Sequence, residues 1–252
     1  MDLATLVADY EGSKVPEFIR AYFWGNPGTG KTTLAATFPE PLFINADQGM
    51  SSVVKDIRTI DVGKEIDRPY ELIVQVLVDA SMKRGIFAPG QYADGVKTII
   101  FDSMTTLGDA MLTQIMVENK LDPLKDKPTF DEWGILQRKM VEVSKRVKDL
   151  SGKYNVIQTA WATVKENEDT KIVSAFPMLP GSYRERASGD VDESYYMEGR
   201  TGPDGFEVTL YASPKGIYHA KTRLLADTKI TNPSYDKLLA SMKKKRTANK
   251  SS

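Results

Sequence analysis

The stretch "AYFWGNPGTGKTTLAATFP", residues 21–39, decides the fold. An aromatic, apolar run stops at Gly25, and a short helix reads onward from Lys31 until Pro39 and Pro41 end it. Between them Gly25, Asn26, Pro27, Gly28, Thr29, Gly30, Lys31 and Thr32 satisfy the pattern G-x-x-x-x-G-K-[ST]. Glycines reach conformations closed to residues with a Cβ, so successive N–H groups can turn inward on an anion. The helix start adds unpaired N–H groups at the same spot. Lys31 supplies a mobile ammonium for β- and γ-phosphates, the Thr32 hydroxyl suits Mg²⁺, and Thr33 supports the site. The alternative is a chance glycine turn, and the entering strand and departing helix argue against it. The pattern specifies a nucleoside triphosphate and leaves its use open.

Outward from this loop the chain alternates. Short apolar strands are expected at 18–25, 41–47, 96–103 and 154–164, and amphipathic helices at 70–85, with a stop at Gly85, at 104–119 and at 134–150. A short helix is expected over 3–8, and a polar loop over 120–133. Such alternation means crossover connections and a mainly parallel sheet with helices on both faces. The last third differs: "ESYYMEG", "GFEVTLYAS" and "GIYHAKTRLL" read as antiparallel strands added at one edge, before a short helix, "YDKLLASM". The organisation expected is one α/β domain over 1–240 and a basic, flexible tail over 241–252.

Composition removes several classes of chemistry. The chain has 252 residues with 34 Lys+Arg against 34 Asp+Glu, so a surface basic all over is excluded while a local patch is not. It has no cysteine, which excludes disulfides and thiolate metal sites and fits a reducing compartment. His219 is the only histidine, so zinc hydrolase sites and histidine triads lack raw material. The acidic N-terminus does not read as a signal peptide, and no apolar window reaches the ~18 residues of a span. A cytoplasmic protein with no membrane partner is expected, in the host cytoplasm if phage-encoded.

A triphosphate site also needs a carboxylate on a neighbouring strand for the Mg²⁺ shell. "KTIIFDS" offers Asp102, with a helix-capping Asp as the alternative. The next residue is Ser103, not Glu, so a water-orienting carboxylate must come from elsewhere. Asp47, ending "PLFINAD", is the candidate, because parallel strands bring their C-terminal ends to one rim; a loop-capping Asp is its rival. Glu40 lies at the wrong end of that strand.

"GNPGTGKTTLA", "LFINAD", "IIFDS" and "NVIQTAW", in this order, resemble the RecA-like recombinase ATPases, and more closely the minimal core-only RecA-like proteins of phages, some of which anneal single strands. The resemblance covers about residues 18–230 and implies a RecA-like P-loop NTPase fold, ATP and Mg²⁺ as ligands, and slow, DNA-stimulated ATP hydrolysis. It makes Asp47 the base and Asp102 the Mg²⁺-shell residue. The strand ending at Ala160-Trp161 becomes the sensor strand, without the polar Gln or His usual there. Lys221 and Arg223, two apart on an expected strand, become finger residues reaching a neighbouring subunit's phosphates; the plainer reading is a solvated edge. DNA would lie on segments 120–133 and 163–180, with Lys125, Lys127, Lys165 and Lys171, and near Arg184 and Arg186; solvated loops are the alternative. Implied partners are single-stranded DNA, further copies of the chain in a ring or filament, and a single-stranded-DNA-binding protein. A P-loop kinase of small molecules and a non-catalytic nucleotide-dependent assembly factor stay open as other functions.

Overall fold

The computed structural model describes residues 14–47, 49–62, 67–91, 95–150, 152–181, 183–203 and 205–248. The helix expected at 3–8 lies outside them. The strands are β1 (Arg20–Trp24), β2 (Pro41–Asn45), β3 (Arg58–Asp61), β4 (Thr98–Asp102), β5 (Asn155–Ala160), β6 (Ala162–Glu166), β7 (Val173–Pro177), β8 (Glu193–Gly202), β9 (Gly205–Tyr211) and β10 (Lys229–Thr231). The α-helices are α1 (Lys31–Ala36), α2 (Pro69–Met82), α3 (Met104–Glu118), α4 (Phe130–Asp149), α5 (Tyr183–Asp190) and α6 (Tyr235–Ala248).

An eight-stranded sheet runs β10-β9-β8-β1-β5-β4-β2-β3. From β8 to β3 every pairing is parallel, and β9 and β10 join antiparallel at one edge. This is the α/β architecture of a RecA-like P-loop NTPase, with β5 lying between the loop strand β1 and the carboxylate strand β4. Period-two alternation sorts the core. Tyr22, Trp24, Leu42, Ile44, Ile99 and Phe101 pack on α2, α3 and α4, whose inward residues include Ile73, Leu107 and Met140. Phe23, Phe43, Ile100 and Ile157 face the other way, onto Leu34 of α1 and Leu238 of α6. Both faces of the central strands are therefore apolar, as parallel strands under helices must be.

Several expected elements change. Helix α2 stops at Met82, before Gly85, with Lys83 in the left-handed conformation (φ 52°). Helix α4 begins at Phe130, inside the expected loop, because Thr129 and Glu132 form a reciprocal capping box. The expected strand 154–164 is two strands: β5, then β6, which pairs with β7 as a separate hairpin. Helix α6 runs to Ala248 with Ser241 and Met242 buried, so the boundary expected at 240 falls inside a helix. The run 216–225 forms isolated bridges, not a strand. Its ladder is interrupted because the buried Glu193 carboxylate accepts from the N–H groups of Arg223 (2.8 Å) and Leu224 (3.0 Å). Among the described residues no helix is long and apolar enough to cross a membrane.

Candidate nucleotide site

The loop after β1 has the backbone its glycines allow. Gly28 (φ 77°) and Gly30 (φ 75°) are left-handed. Gly25 passes so close to β8 that a Cβ there would collide with the Met197 carbonyl. The Lys31 ammonium curls back over the loop and donates to Gly25 O (3.0 Å) and Asn26 O (2.9 Å). Thr29 Oγ1 also donates to Asn26 O, at 2.8 Å. Burial pulls Lys31 down to about 8, against the opposing attraction of Asp102 and Asp47.

Parallel strands deliver the two carboxylates to the same rim. Asp102, 2% exposed, receives Thr32 Oγ1 on Oδ2 at 2.7 Å and Thr159 Oγ1 on Oδ1. Burial raises its pKa; the Thr159 and Thr32 hydroxyls oppose this, the Asp47 charge adds to it, and Lys31 opposes it. The N–H groups of Ala46 and Asp47 donate to Asp102 O at 2.7 and 3.1 Å, which ties the end of β2 to β4. Asp47 Oδ1 accepts from Ser103 Oγ (2.9 Å) and from Thr106 Oγ1. Asp47 Oδ2 accepts no hydrogen bond among the described residues. Ser103 stands where a second acidic residue would follow Asp102. It caps α3 through Thr106 N (3.4 Å) and holds Asp47 in place. Glu40 sits at the opposite end of β2, beside Arg58 at 3.7 Å.

A cleft of about 850 Å³ opens over the loop. On one side of β1 it is lined by Asp47, Asp102, Thr106 and Trp161, and on the other by Phe206, Val208, Asn232 and Pro233, with residues 27–34 forming its floor. These residues fit a magnesium nucleoside triphosphate. The left-handed glycines clear the space a Cβ would fill, and among the described residues the Lys31 ammonium donates to two loop carbonyls that phosphate oxygens can replace. Thr32 and Asp102 already share a hydrogen bond at the place where an Mg²⁺ ion would be held. Among the described residues no group of three or more His, Asp or Glu could hold a metal by itself, so phosphate oxygens and water would complete the shell.

A family model described as AAA domain matches residues 17–224. The chain belongs to the AAA domain family. No curated protein matches it. Among solved structures it is similar to flagellar accessory protein FlaH from Methanocaldococcus jannaschii, with 12% identity and a TM-score of 0.42 over 86% of this chain and 85% of that one. The matched part of this AAA domain takes in the loop, Asp47 and Asp102, and stops before α6. Sheet, loop and family together make it a RecA-like P-loop nucleotide-binding domain.

Other expected residues lie elsewhere. Lys221 is not on a strand, and its ammonium is already bound to Ser188 O and, at 2.8 Å, to Val191 O, at the end of α5. Arg223, 60% exposed, lies 3.6 Å from Asp192. Segment 163–180 is mostly the β6–β7 hairpin, where Lys165 pairs with Glu185 (3.0 Å) and Lys171 with Glu166 (3.5 Å). Lys125 pairs with Asp122 (2.8 Å), and Lys127 lies exposed in the loop before α4. Arg184 donates to Gly181 O (2.7 Å), and Arg186 lies 3.5 Å from Asp190. Trp161 lines the cleft, whereas Gln158, on the preceding strand, accepts from Tyr22 OH (2.8 Å) inside the core. Sequence reasoning missed Thr106, Thr159, Phe206 and Asn232. A hydroxyl one helical turn after Ser103 was a signal for the first.

Proposed function

We propose that this AAA domain binds ATP with Mg²⁺ and hydrolyses it slowly, and that turnover is coupled to single-stranded DNA in a ring or filament serving recombination, annealing or replication of the phage type. The observation that carries the hydrolytic part is Asp47: two hydroxyls hold its Oδ1, Oδ2 accepts no hydrogen bond among the described residues, and the residue lines the cleft that Lys31 and Asp102 also line. That oxygen is placed to orient a water and take its proton. Thr32 and Asp102 would hold Mg²⁺, and Lys31 with the loop N–H groups would bind phosphate oxygens, the electrostatic share of the catalysis.

Support for DNA comes from the resemblance and from position. The β6–β7 hairpin leaves β5 directly after Trp161, so a change at the cleft has a short path to Lys165 and Lys171. Their ion pairs are exposed and worth about 0–1 kcal/mol, weak enough for a phosphate backbone to replace them. One observation favours a second reading, a nucleotide switch without hydrolysis: the Asp47 carboxylate is already engaged by Ser103 and Thr106. The test is nucleotide turnover with and without single-stranded DNA, with particle size measured in the same samples. Slow turnover that rises with DNA, in particles larger than one chain, is expected. Tight ATP binding with no turnover under any condition establishes the switch. Turnover indifferent to DNA, with a phosphorylated acceptor accumulating, makes the protein a kinase.

A further inference from the structure

The cleft continues past the phosphate loop on the side away from both carboxylates, and the residues there have no part in phosphate or metal binding. Phe206 is 59% exposed. The tip of its ring lies over Gly199 on the paired strand so closely that a Cβ at Gly199 would collide with Cζ and Cε2. Covering a strand glycine accounts for that end of the ring. Phe206 also lines the cleft, together with Val208, Asn232, Pro233 and residues 27–34. Val208 abuts the loop itself, since a Cβ on Gly30 would lie 3.3 Å from its Cγ2. A flat apolar wall therefore begins where the phosphate cradle ends.

Asn232 is held at both ends. Its N–H donates to Val208 O (2.7 Å), and its Oδ1 accepts from Val208 N (3.0 Å). Its carbonyl accepts from Lys237 Nζ at 2.9 Å. This double clasp fixes a left-handed residue (φ 43°) at the end of β10. Among the described residues its Nδ2 amide has no hydrogen-bond acceptor. The result is a rigid N–H donor beside an exposed aromatic ring and a proline, in a slot one step from the phosphate loop.

We infer that Phe206, Pro233 and Asn232 form a purine-base site, in which Phe206 and Pro233 take the faces of the base and Asn232 Nδ2 donates to a ring nitrogen. The inference rests on the triphosphate reading of the loop and adds to it the part of the ligand the loop does not touch. Stacking tolerates any flat ring, while the larger purine surface gains more from it than a pyrimidine does.

The test is calorimetric titration of the full chain with MgATP, MgCTP and magnesium tripolyphosphate, which has the phosphates and no base. Wild type should bind MgATP more tightly than MgCTP, and both more tightly than tripolyphosphate. Phe206→Ala should weaken MgATP by about tenfold or more and leave tripolyphosphate unchanged, and Phe206→Tyr should restore most of the loss. Unchanged MgATP affinity in Phe206→Ala, with binding still abolished by Lys31→Ala, overturns the base site and leaves the loop reading intact. Equal weakening of MgATP and tripolyphosphate also overturns it, because the ring would then support the loop rather than the base. Failure of wild type to bind either ligand removes the triphosphate reading itself.

Discussion

Lys31 and Lys221 make the same local structure. Each ammonium is drawn among carboxylates, each donates to two backbone carbonyls, and burial lowers the pKa of each, with Arg223 adding to the effect at Lys221. What differs is which carbonyls they hold. Those under Lys31 belong to a loop with left-handed glycines under an open cleft, where anions can take their place. Those under Lys221, Ser188 O and Val191 O, close the end of α5. A basic residue read in sequence thus does not declare whether it waits for a ligand or is spent on the fold; its acceptors decide.

Lys31→Ala sets the two apart with the largest effect. Turnover should fall by about 10²–10³-fold, while the thermal midpoint moves less than in Lys221→Met. If Lys31→Ala binds ATP normally and only destabilises, both lysines are carbonyl caps and the contrast collapses. Asp47→Asn should lower turnover by about 10²-fold with MgATP affinity retained, as read by calorimetry beside a phosphate-release assay. An equal loss of affinity would make Asp47 part of the binding site instead of the water site.

The pH dependence sharpens the same contrast. Lys31 in the free protein titrates at about 8, below the ordinary 10.5, and bound phosphates would hold it protonated. Above pH 8 binding must therefore take up a proton, and tripolyphosphate affinity should fall by up to about tenfold per unit as pH rises. An affinity flat from pH 7 to 9 contradicts this. On folding the sign is opposite: between 8 and 10.5 the unfolded chain binds the extra proton, so this group makes stability rise with pH in that window.

Lys221→Met should cost about 1–3 kcal/mol through the two carbonyls left unpaired, seen as a fall in thermal midpoint of roughly 2–4 °C per kcal/mol. Arg223→Ala, exposed and loosely paired, should change stability by less than about 1 kcal/mol. If Arg223 serves a neighbour's site, mixing Arg223→Ala with Lys31→Ala protein restores part of the turnover. No recovery at any ratio, with assembly intact, assigns it to the surface.

The legible parts of the sequence were those where one local rule sufficed. The loop between β1 and α1, the general alternation of strand and helix, and Asp102 at the end of β4 each follow from a few adjacent residues, although several element bounds shift. The missed parts depend on distant partners. Strand β3, "RTID", is a half-exposed edge with no apolar pattern, and exists because β2 pairs with it. The run 216–225 has strand composition, yet the Glu193 carboxylate takes two of its N–H groups. Phe206 and Asn232 reach the cleft only once β9 and β10 fold back beside β8. The start of α4 was legible in "TFDE", where Thr129 and Glu132 have capping-box spacing.

When the cleft fills, Lys31 has to give up its two loop carbonyls. A crystal structure with Mg²⁺ and a non-hydrolysable ATP analogue tests it directly. In that complex Lys31 Nζ is expected to leave Gly25 O and Asn26 O for phosphate oxygens, with Thr32 and Asp102 at the metal. A triphosphate bound away from residues 25–32, or a lysine still on those two carbonyls with the analogue in place, would contradict it.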